Sequence, residues 1–205
     1  RRSSDLRNSP ATPSPQTTTM FYSLDAFYYF YPEDTPLRRL LYRHSCQVME
    51  KSMQILDIRK VKLDCALVEA GALLHDIGVG RCNAPGILCT GDQPYMAHGI
   101  IGGEMMREYG RMTGERTEAF ARICERHIGA GLSKEDVARE NLPLPHKDFL
   151  PETPEEMLVC LADKFFSKSG DMHEKSFAET RASIEKFGED VVRRFDEMCA
   201  VFGIE

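Results

Sequence analysis

Residues 66–78, ALVEAGALLHDIG, form an apolar stretch that ends in an adjacent histidine and aspartate. Its apolar side chains recur at the spacing of one helix face and are Ala66, Leu67, Ala70, Leu73, Leu74 and Ile77. This spacing predicts a buried helix that carries His75 and Asp76 into the protein interior. Gly78, just beyond the pair, is predicted to close that helix in a left-handed conformation.

A buried histidine beside a buried aspartate indicates a metal site. Moving a carboxylate into a core is costly unless it is paired or coordinates a cation. The imidazole of His75 offers a second ligand atom of a compatible kind. We therefore expect other parts of the chain to supply further ligands to the same place.

The composition predicts one acidic domain. With 205 residues, of which 42% are hydrophobic and 28% charged, the chain can bury a single good-sized core. The formal net charge is −6; residues 1–19 hold three arginines and one aspartate, which gives +2, so residues 20–205 carry −8. Binding to a nucleic-acid duplex needs a basic face, and so no duplex partner is predicted.

The first residues, the cysteines and the lack of long apolar runs predict where the domain begins and in which compartment the protein lies. Residues 1–19 are rich in Ser, Thr and Pro, which predicts a disordered leader or tag before a domain at residues 20–205. Seven cysteines without a Cys-x-x-Cys pair indicate reduced thiols. No apolar run is long enough for a membrane span and no secretory signal is present, so a cytoplasmic location without membrane contact is expected.

Four further segments with helical patterns each carry one residue of the ligand type. These residues and their predicted helices are His44 in residues 35–58, His98 in residues 94–109, His127 in residues 117–128 and Asp163 in residues 155–167. Gly110 is predicted to end the helix that carries His98. Gly99, Gly102 and Gly103 weaken that helix, and they are expected to permit close backbone approach.

The segment that follows the His-Asp pair, residues 79–93, is rich in Gly and Pro and is predicted to be a loop. Its one cation, Arg81, is a candidate substrate contact. Cys82 and Cys89 lack a second cysteine pair, so free thiols are favoured over a zinc site. The aromatic segment 21–31 is predicted to be a short helix that packs over the body or over the rim of a pocket.

Six ligand-type residues on five mainly helical segments are what a metal site in a helical core requires, because its ligands must converge from different helices. Imidazole and carboxylate suit iron, manganese, nickel, cobalt or zinc, and a set without cysteine argues against structural zinc. Six protein ligands are more than one catalytic ion would bind while keeping positions open for water and substrate. Two divalent ions bridged by Asp76 would use all six: His44, His75, Asp76, His98, His127 and Asp163.

The ordered set of these residues, with His75 to Gly78 spelling H-D-I-G, resembles the HD-domain superfamily of metal-dependent phosphohydrolases. The additional His98 and His127 are similar to its two-metal subset. The resemblance spans about residues 37–170 and leaves residues 171–205 as C-terminal helices. It implies an all-α, single-domain helical bundle with the metal site in its core. It also implies one ion at His44, His75, Asp76 and Asp163, and another at Asp76, His98 and His127.

The function predicted from this resemblance is hydrolysis of a phosphate ester or phosphoanhydride by a metal-activated hydroxide. The substrate is expected to be a small phosphorylated molecule, with a nucleotide as the first class to test. The Gly-Tyr-Pro motif of the cyclic di-GMP phosphodiesterase branch is absent, which argues against that substrate. Asp76 is the central catalytic candidate.

The cations nearest the ligands in sequence are Arg81, Arg126, Lys164 and Lys168. Of these, Lys164 and Arg81 are the favoured candidates for a catalytic role. Two alternatives use the same six ligands. The first is a mixed-valent di-iron oxygenase of the same superfamily, and the second is a metal-containing sensing module without turnover.

Overall fold

The structure is a computed structural model that describes residues 22–59 and 62–204. Residues 1–19, for which a disordered leader or tag is predicted, lie outside the described residues. Nine α-helices occur in the described part: α1 (Ser23–Phe30), α2 (Pro36–Arg59), α3 (Cys65–Leu74), α4 (His98–Thr113), α5 (Glu118–Arg126), α6 (Lys134–Arg139), α7 (Pro154–Lys164), α8 (Phe177–Glu185) and α9 (Glu189–Phe202). The predicted all-α, single-domain fold is confirmed.

Helix α3 lies at the centre of the bundle, where it packs against α1, α2, α5 and α7. Its start agrees with the sequence pattern, since the Asp64 side chain caps it by accepting a hydrogen bond from the Leu67 N–H. Side chains of α3 contribute to two apolar clusters. The first includes side chains of α2, α7 and α9, and the second includes side chains of α1 and α4. The His-Asp turn that follows α3 is therefore enclosed on several sides.

The end of α3 differs from the prediction. The helix stops at Leu74, and residues 75–78 form a turn. Gly78 has φ −80°, so the prediction of a left-handed closing residue is wrong. A glycine is needed here because there is no room for a side chain: a Cβ atom at this position would lie 2.2 Å from the His98 carbonyl oxygen. The His-Asp turn can therefore pack directly against the start of α4.

Helix α4 begins and ends later than the sequence predicts. A 3₁₀ turn at Tyr95–Ala97 precedes it, and the helix continues through Gly110 to Thr113. Gly114, with φ 78°, is the left-handed closing residue, so the predicted end at Gly110 is wrong. The predicted close approach is present, since a Cβ on Gly99 would lie 2.6 Å from the Cys124 carbonyl oxygen of α5.

The segment 79–93 is more ordered than a plain loop. It contains two 3₁₀ turns and an antiparallel pair of two-residue strands, β1 (Asn83–Ala84) and β2 (Cys89–Thr90). Cys82, directly before β1, and Cys89, the first residue of β2, are buried free thiols. The hairpin holds the segment against the body beside the His-Asp turn.

The C-terminal part begins with a capping box, in which Thr153 caps α7 and the Glu156 side chain accepts from the Thr153 N–H. Helix α7 ends at Lys164, three residues before the predicted end, and the chain then turns back at 165–176. The expected C-terminal helices are α8 and α9, and they are separated at Gly188, which has φ 106°. Helix α9 packs on α7 and closes the core. None of the described helices is long and apolar enough to cross a membrane.

Candidate metal centre

The structure brings the six predicted ligand residues together. His44 lies in the middle of α2, His75 and Asp76 lie in the turn after α3, and His98 is the first residue of α4. His127 directly follows α5, and Asp163 lies in the last turn of α7. The exposed fraction of these residues is at most 7%. Such burial of four imidazoles and two carboxylates needs partners of opposite charge or a cation.

One half of the cluster surrounds the Oδ2 atom of Asp76. This oxygen lies 3.4 Å from His44 Nε2 and 3.3 Å from His75 Nε2. Asp163 completes this half, with Oδ1 at 2.9 Å from His44 Nε2 and 3.5 Å from His75 Nε2. Ligand atoms of His44, His75 and Asp163 all lie within 4.8 Å of one another, which is compatible with one shared ion.

The other half surrounds the Oδ1 atom of the same carboxylate. Asp76 Oδ1 lies 3.3 Å from His127 Nε2 and 3.5 Å from His98 Nε2. The two imidazole Nε2 atoms are 3.0 Å apart. Each oxygen of Asp76 therefore faces a separate group of ligand atoms.

Three of the histidines are oriented by the backbone. The Nδ1 atoms of His75, His98 and His127 lie 2.7, 2.6 and 2.8 Å from the carbonyl oxygens of Ala72, Tyr95 and Cys124 respectively. Because a carbonyl only accepts, Nδ1 must donate in each case, and in the neutral ring Nε2 then carries the lone pair. Such hydrogen bonds are typical of histidines that bind metals through Nε2.

Unsatisfied atoms show that a cation fits this arrangement. His75 Nε2 and Asp76 Oδ1 are buried and have no hydrogen-bond partner within the described residues. Buried polar atoms without partners are costly, and a divalent cation among them would satisfy both. The nitrogen and carboxylate donors suit a transition-metal ion.

The electrostatics of the cluster favour bound cations. Burial alone would raise the pKa of Asp76, but Lys168 and His75 outweigh it and hold that pKa well below the usual value. Burial and the neighbouring His127 lower the pKa of His98 to about 3, so its ring is neutral. Burial also opposes a charge on His75, yet Asp76 and Asp163 raise its pKa to about 9. Cation binding through His75 would release its proton.

Two lysines reach the cluster. Lys164 Nζ lies 2.8 Å from Asp163 Oδ2 and donates to the His127 carbonyl oxygen at 3.1 Å. Lys168 Nζ lies 2.7 Å from Asp76 Oδ2. Sequence proximity alone favoured Lys164 over Lys168. Because α7 ends at Lys164, the turn that follows brings Lys168 to the Asp76 carboxylate. A sequence pattern that places the helix end at residue 167 could not indicate this contact.

The two arginines near the ligands in sequence lie elsewhere. Arg81 is exposed on the 3₁₀ turn after the His-Asp pair, and its side chain makes no ion pair in the described part of the chain. Arg126 donates to the Leu150 carbonyl oxygen and pairs with Glu152. The structure therefore brings neither guanidinium into contact with the six ligand residues.

A tyrosine that sequence reasoning did not single out holds the His-Asp turn. The Tyr31 hydroxyl donates to the Ile77 carbonyl oxygen at 2.7 Å and accepts from the Gly80 N–H at 3.0 Å. Burial raises the pKa of Tyr31, so the hydroxyl stays protonated. The residue that directly follows α1 thus supports the turn that carries His75 and Asp76.

A cleft of about 540 Å³ opens beside the cluster. His98, His127 and Asp163 line it on the cluster side, together with Tyr95. Three lysines also line it: Lys164, Lys168 and Lys175. A small anionic molecule could therefore reach the candidate metal centre through a basic cleft, although the chain carries a formal charge of −6.

Comparison with protein families gives a match to the HD domain over residues 41–167. The chain is 36% identical over 136 residues to an uncharacterized protein of Methanocaldococcus jannaschii. This alignment covers 66% of this chain and 62% of that protein. It is also 36% identical to the tRNA (cytidine(56)-2'-O)-methyltransferases of Thermoplasma volcanium and Picrophilus torridus. Those matches cover 57% and 62% of this chain but 29% and 32% of the enzymes.

Among solved structures, the HD domain of the L. monocytogenes phosphodiesterase PgpH matches with a TM-score of 0.48 and 15% identity. The alignment covers 88% of this chain and 97% of that one. The chain spans less than two thirds of the length of each of these three relatives.

Proposed function

Because this chain belongs to the HD-domain family, we propose that it is a metal-dependent phosphohydrolase that cleaves a phosphate ester or a phosphoanhydride. The observation that carries the proposal is the division of four buried histidines between the two oxygens of Asp76, with Asp163 beside His44 and His75. That division supports two divalent ions bridged by one carboxylate. We assign His44, His75, Asp76 and Asp163 to one ion, and Asp76, His98 and His127 to the other.

Bound divalent ions would polarise a phosphate and supply a nucleophilic hydroxide near neutral pH. The chain contributes the arrangement around them. Asp76 and Asp163 provide negative charge, because their lysine partners keep both pKa values well below the usual range. The backbone carbonyls of Ala72, Tyr95 and Cys124 aim three Nε2 atoms inward. Little reorganisation is then needed when cations bind.

Lys164 and Lys168 are the proposed cations that stabilise negative charge on the phosphate. Both line the cleft, and both already contact carboxylates of the cluster. Lys168 is an addition to the sequence-based candidates, because it contacts the bridging Asp76. Arg81 remains a prediction that would require movement of its exposed side chain toward a bound substrate.

A small phosphorylated substrate is supported by the basic lining of the cleft. We propose a nucleotide as the substrate class, since the cleft also offers the apolar side chains of Ile87, Phe166 and Phe187. The ions proposed are transition metals of the group Fe, Mn, Ni, Co and Zn, which suit imidazole and carboxylate ligands.

The proposal is tested by elemental analysis of protein purified without chelator, followed by a panel of phosphate esters and phosphoanhydrides. We expect phosphate release that EDTA abolishes and that a transition metal restores. Lys168→Met should lower kcat sharply, whereas Lys134→Met, a change in a lysine exposed on α6, should leave kcat unchanged. Absence of phosphate release from every substrate with full metal loading would contradict the proposal.

The same experiment addresses the di-iron oxygenase alternative, because that class uses the same ligand set. Aerobic purification with iron quantification and an EPR spectrum separates the two. An iron protein that consumes oxygen and releases no phosphate would establish the alternative. A redox-silent Mn or Zn protein would exclude it.

A further inference from the structure

Part of the cleft is built by chain that lies beyond residue 167, where the family match ends. Lys168 and Lys175 belong to the turn between α7 and α8, and Ile184, Phe187 and Val191 come from α8, α9 and their connection. The family match therefore covers the ligand residues but not this wall. The wall is where we expect residues that select the substrate.

The charges of the three cleft lysines are not equally balanced. Lys164 pairs with Asp163, and Lys168 pairs with Asp76. Lys175 is partly buried, and its side chain forms no ion pair or hydrogen bond with other described residues. Burial and the nearby charge of Lys164 lower the pKa of Lys175. An anion in the cleft would supply the partner that this ammonium lacks.

The backbone around Lys175 is held in place. Its N–H donates to the Phe165 carbonyl oxygen at 2.8 Å. Three residues earlier, the Met172 carbonyl oxygen accepts from Gln47 Nε2 at 2.7 Å, and Lys51 pairs with Glu174. Helix α2 therefore fixes the turn that presents Lys175 to the cleft. The position of this lysine is built into the fold and does not depend on a free terminus.

The cleft also has an apolar part. Phe166, Ile184, Phe187 and Val191 line it, and the exposed fraction of Phe187 is 53%. Exposed apolar surface beside a basic site fits a ligand that has both an organic group and anionic groups. Inorganic phosphate alone would leave this surface uncovered.

Resting on the proposed function, we infer that the substrate is an organic molecule with two phosphate groups and that Lys175 binds the second one. The phosphate to be cleaved meets the candidate metal centre with Lys164 and Lys168. The second phosphate pairs with Lys175, and the organic group packs against Phe187. Lys175 is then a specificity-determining residue that favours diphosphates over monophosphates.

The test is isothermal titration of the metal-loaded protein with AMP and with α,β-methylene-ADP. We expect the wild type to bind the diphosphate analogue more tightly. Lys175→Met should weaken that analogue about tenfold, as expected for loss of one charge-assisted contact, and should change AMP binding less than about twofold. Lys175→Arg should keep the preference, and the surface control Lys134→Met should leave both affinities unchanged.

Phe187→Ala should weaken both ligands alike, because both carry the organic group. The assignment of Lys175 is overturned if the wild type shows no preference, or if Lys175→Met weakens both ligands equally or neither. Melting curves verify that each variant is folded. A phosphate assay of each titrated sample verifies that the ligand was not hydrolysed. Since binding is then measured without turnover, a failed substrate panel would refute the hydrolase proposal and leave the result on Lys175 to stand by itself.

Discussion

Asp76 is the residue at which the two halves of the candidate metal centre meet, because Oδ2 faces His44 and His75 while Oδ1 faces His98 and His127. Asp76→Ala should therefore lose both ions together, whereas His98→Ala should keep the ion on the other side. Elemental analysis of protein purified without chelator measures this, with Asp57→Ala on the exposed face of α2 as the control. Wild-type metal content in Asp76→Ala would show that the two-ion assignment is wrong.

His98 and His127 decide between one ion and two. If they bind metal, His98→Leu and His127→Leu should sharply reduce turnover while melting in EDTA near the wild-type temperature. The extra stabilisation by excess Mn²⁺ should then be smaller in both variants, because bound metal stabilises the folded state. Melting curves with EDTA and with Mn²⁺ decide this. Equal metal-induced shifts in all three proteins would leave a site of His44, His75, Asp76 and Asp163 alone.

At the scale of elements, α1 supports the His-Asp turn through one hydroxyl. Tyr31→Phe removes the donor to Ile77 and the acceptor for Gly80, which should cost about 1–3 kcal/mol of unfolding free energy. Since Ile77 follows Asp76 directly, metal affinity should also fall by roughly tenfold. Urea unfolding and competition with a chelating dye measure the two effects. Tyr28→Phe, on the exposed side of α1 and three residues before Tyr31, is the control.

A Tyr31→Phe protein that matches Tyr28→Phe in both measurements would mean that the turn holds its shape through α3 and α4 alone. The close packing of Gly78 against α4 makes that a meaningful outcome, because backbone contacts fix the turn from the other side.

At the scale of the whole molecule, Asp136 joins α6 to α9. Its carboxylate pairs with Arg194 and Arg139 and accepts from the Ser133 N–H at 3.0 Å. Burial would raise the pKa of Asp136, but the Ser133 N–H and Arg139 outweigh it and lower that pKa. Because the pKa of Asp136 is lower in the folded state than in the unfolded state, its ionised carboxylate stabilises the fold at neutral pH. It is lost as the pH falls from the unfolded-state value through the lowered folded-state value.

Asp136→Asn should therefore lower the free energy of unfolding by about 3 kcal/mol at pH 7, because it leaves Arg194 without its buried partner. The difference from the wild type should shrink at pH 3. Urea unfolding at the two pH values measures both. Asp196→Asn on α9, which removes a more exposed pair with Arg181 of α8, should cost less than about 1 kcal/mol. Equal losses in both variants would contradict the buried-pair argument.

Patterns within the sequence predicted most of the fold. Apolar spacing predicted the buried helix before His75, and the predicted start of the helix that carries Asp163, at residue 155, lies one residue from the observed start of α7 at Pro154. These features depend on residues within about one helical turn of each other, so they can be recognised without the rest of the chain. Helix ends were less predictable. Gly78 and Gly110 are required by close packing and not by a left-handed backbone, and packing partners are distant in sequence.

The residue types and their order determined the set of six ligand candidates, because histidine and aspartate on apolar helix faces need a reason to be buried. Only the tertiary structure decided which oxygen of Asp76 faces which histidines. It alone brought Lys168 to Asp76 and Tyr31 to the His-Asp turn, since both contacts join segments that are far apart along the chain. The physical reason is that a long-range contact depends on where helices cross and where each ends. Periodicity within a single helix carries no information about either.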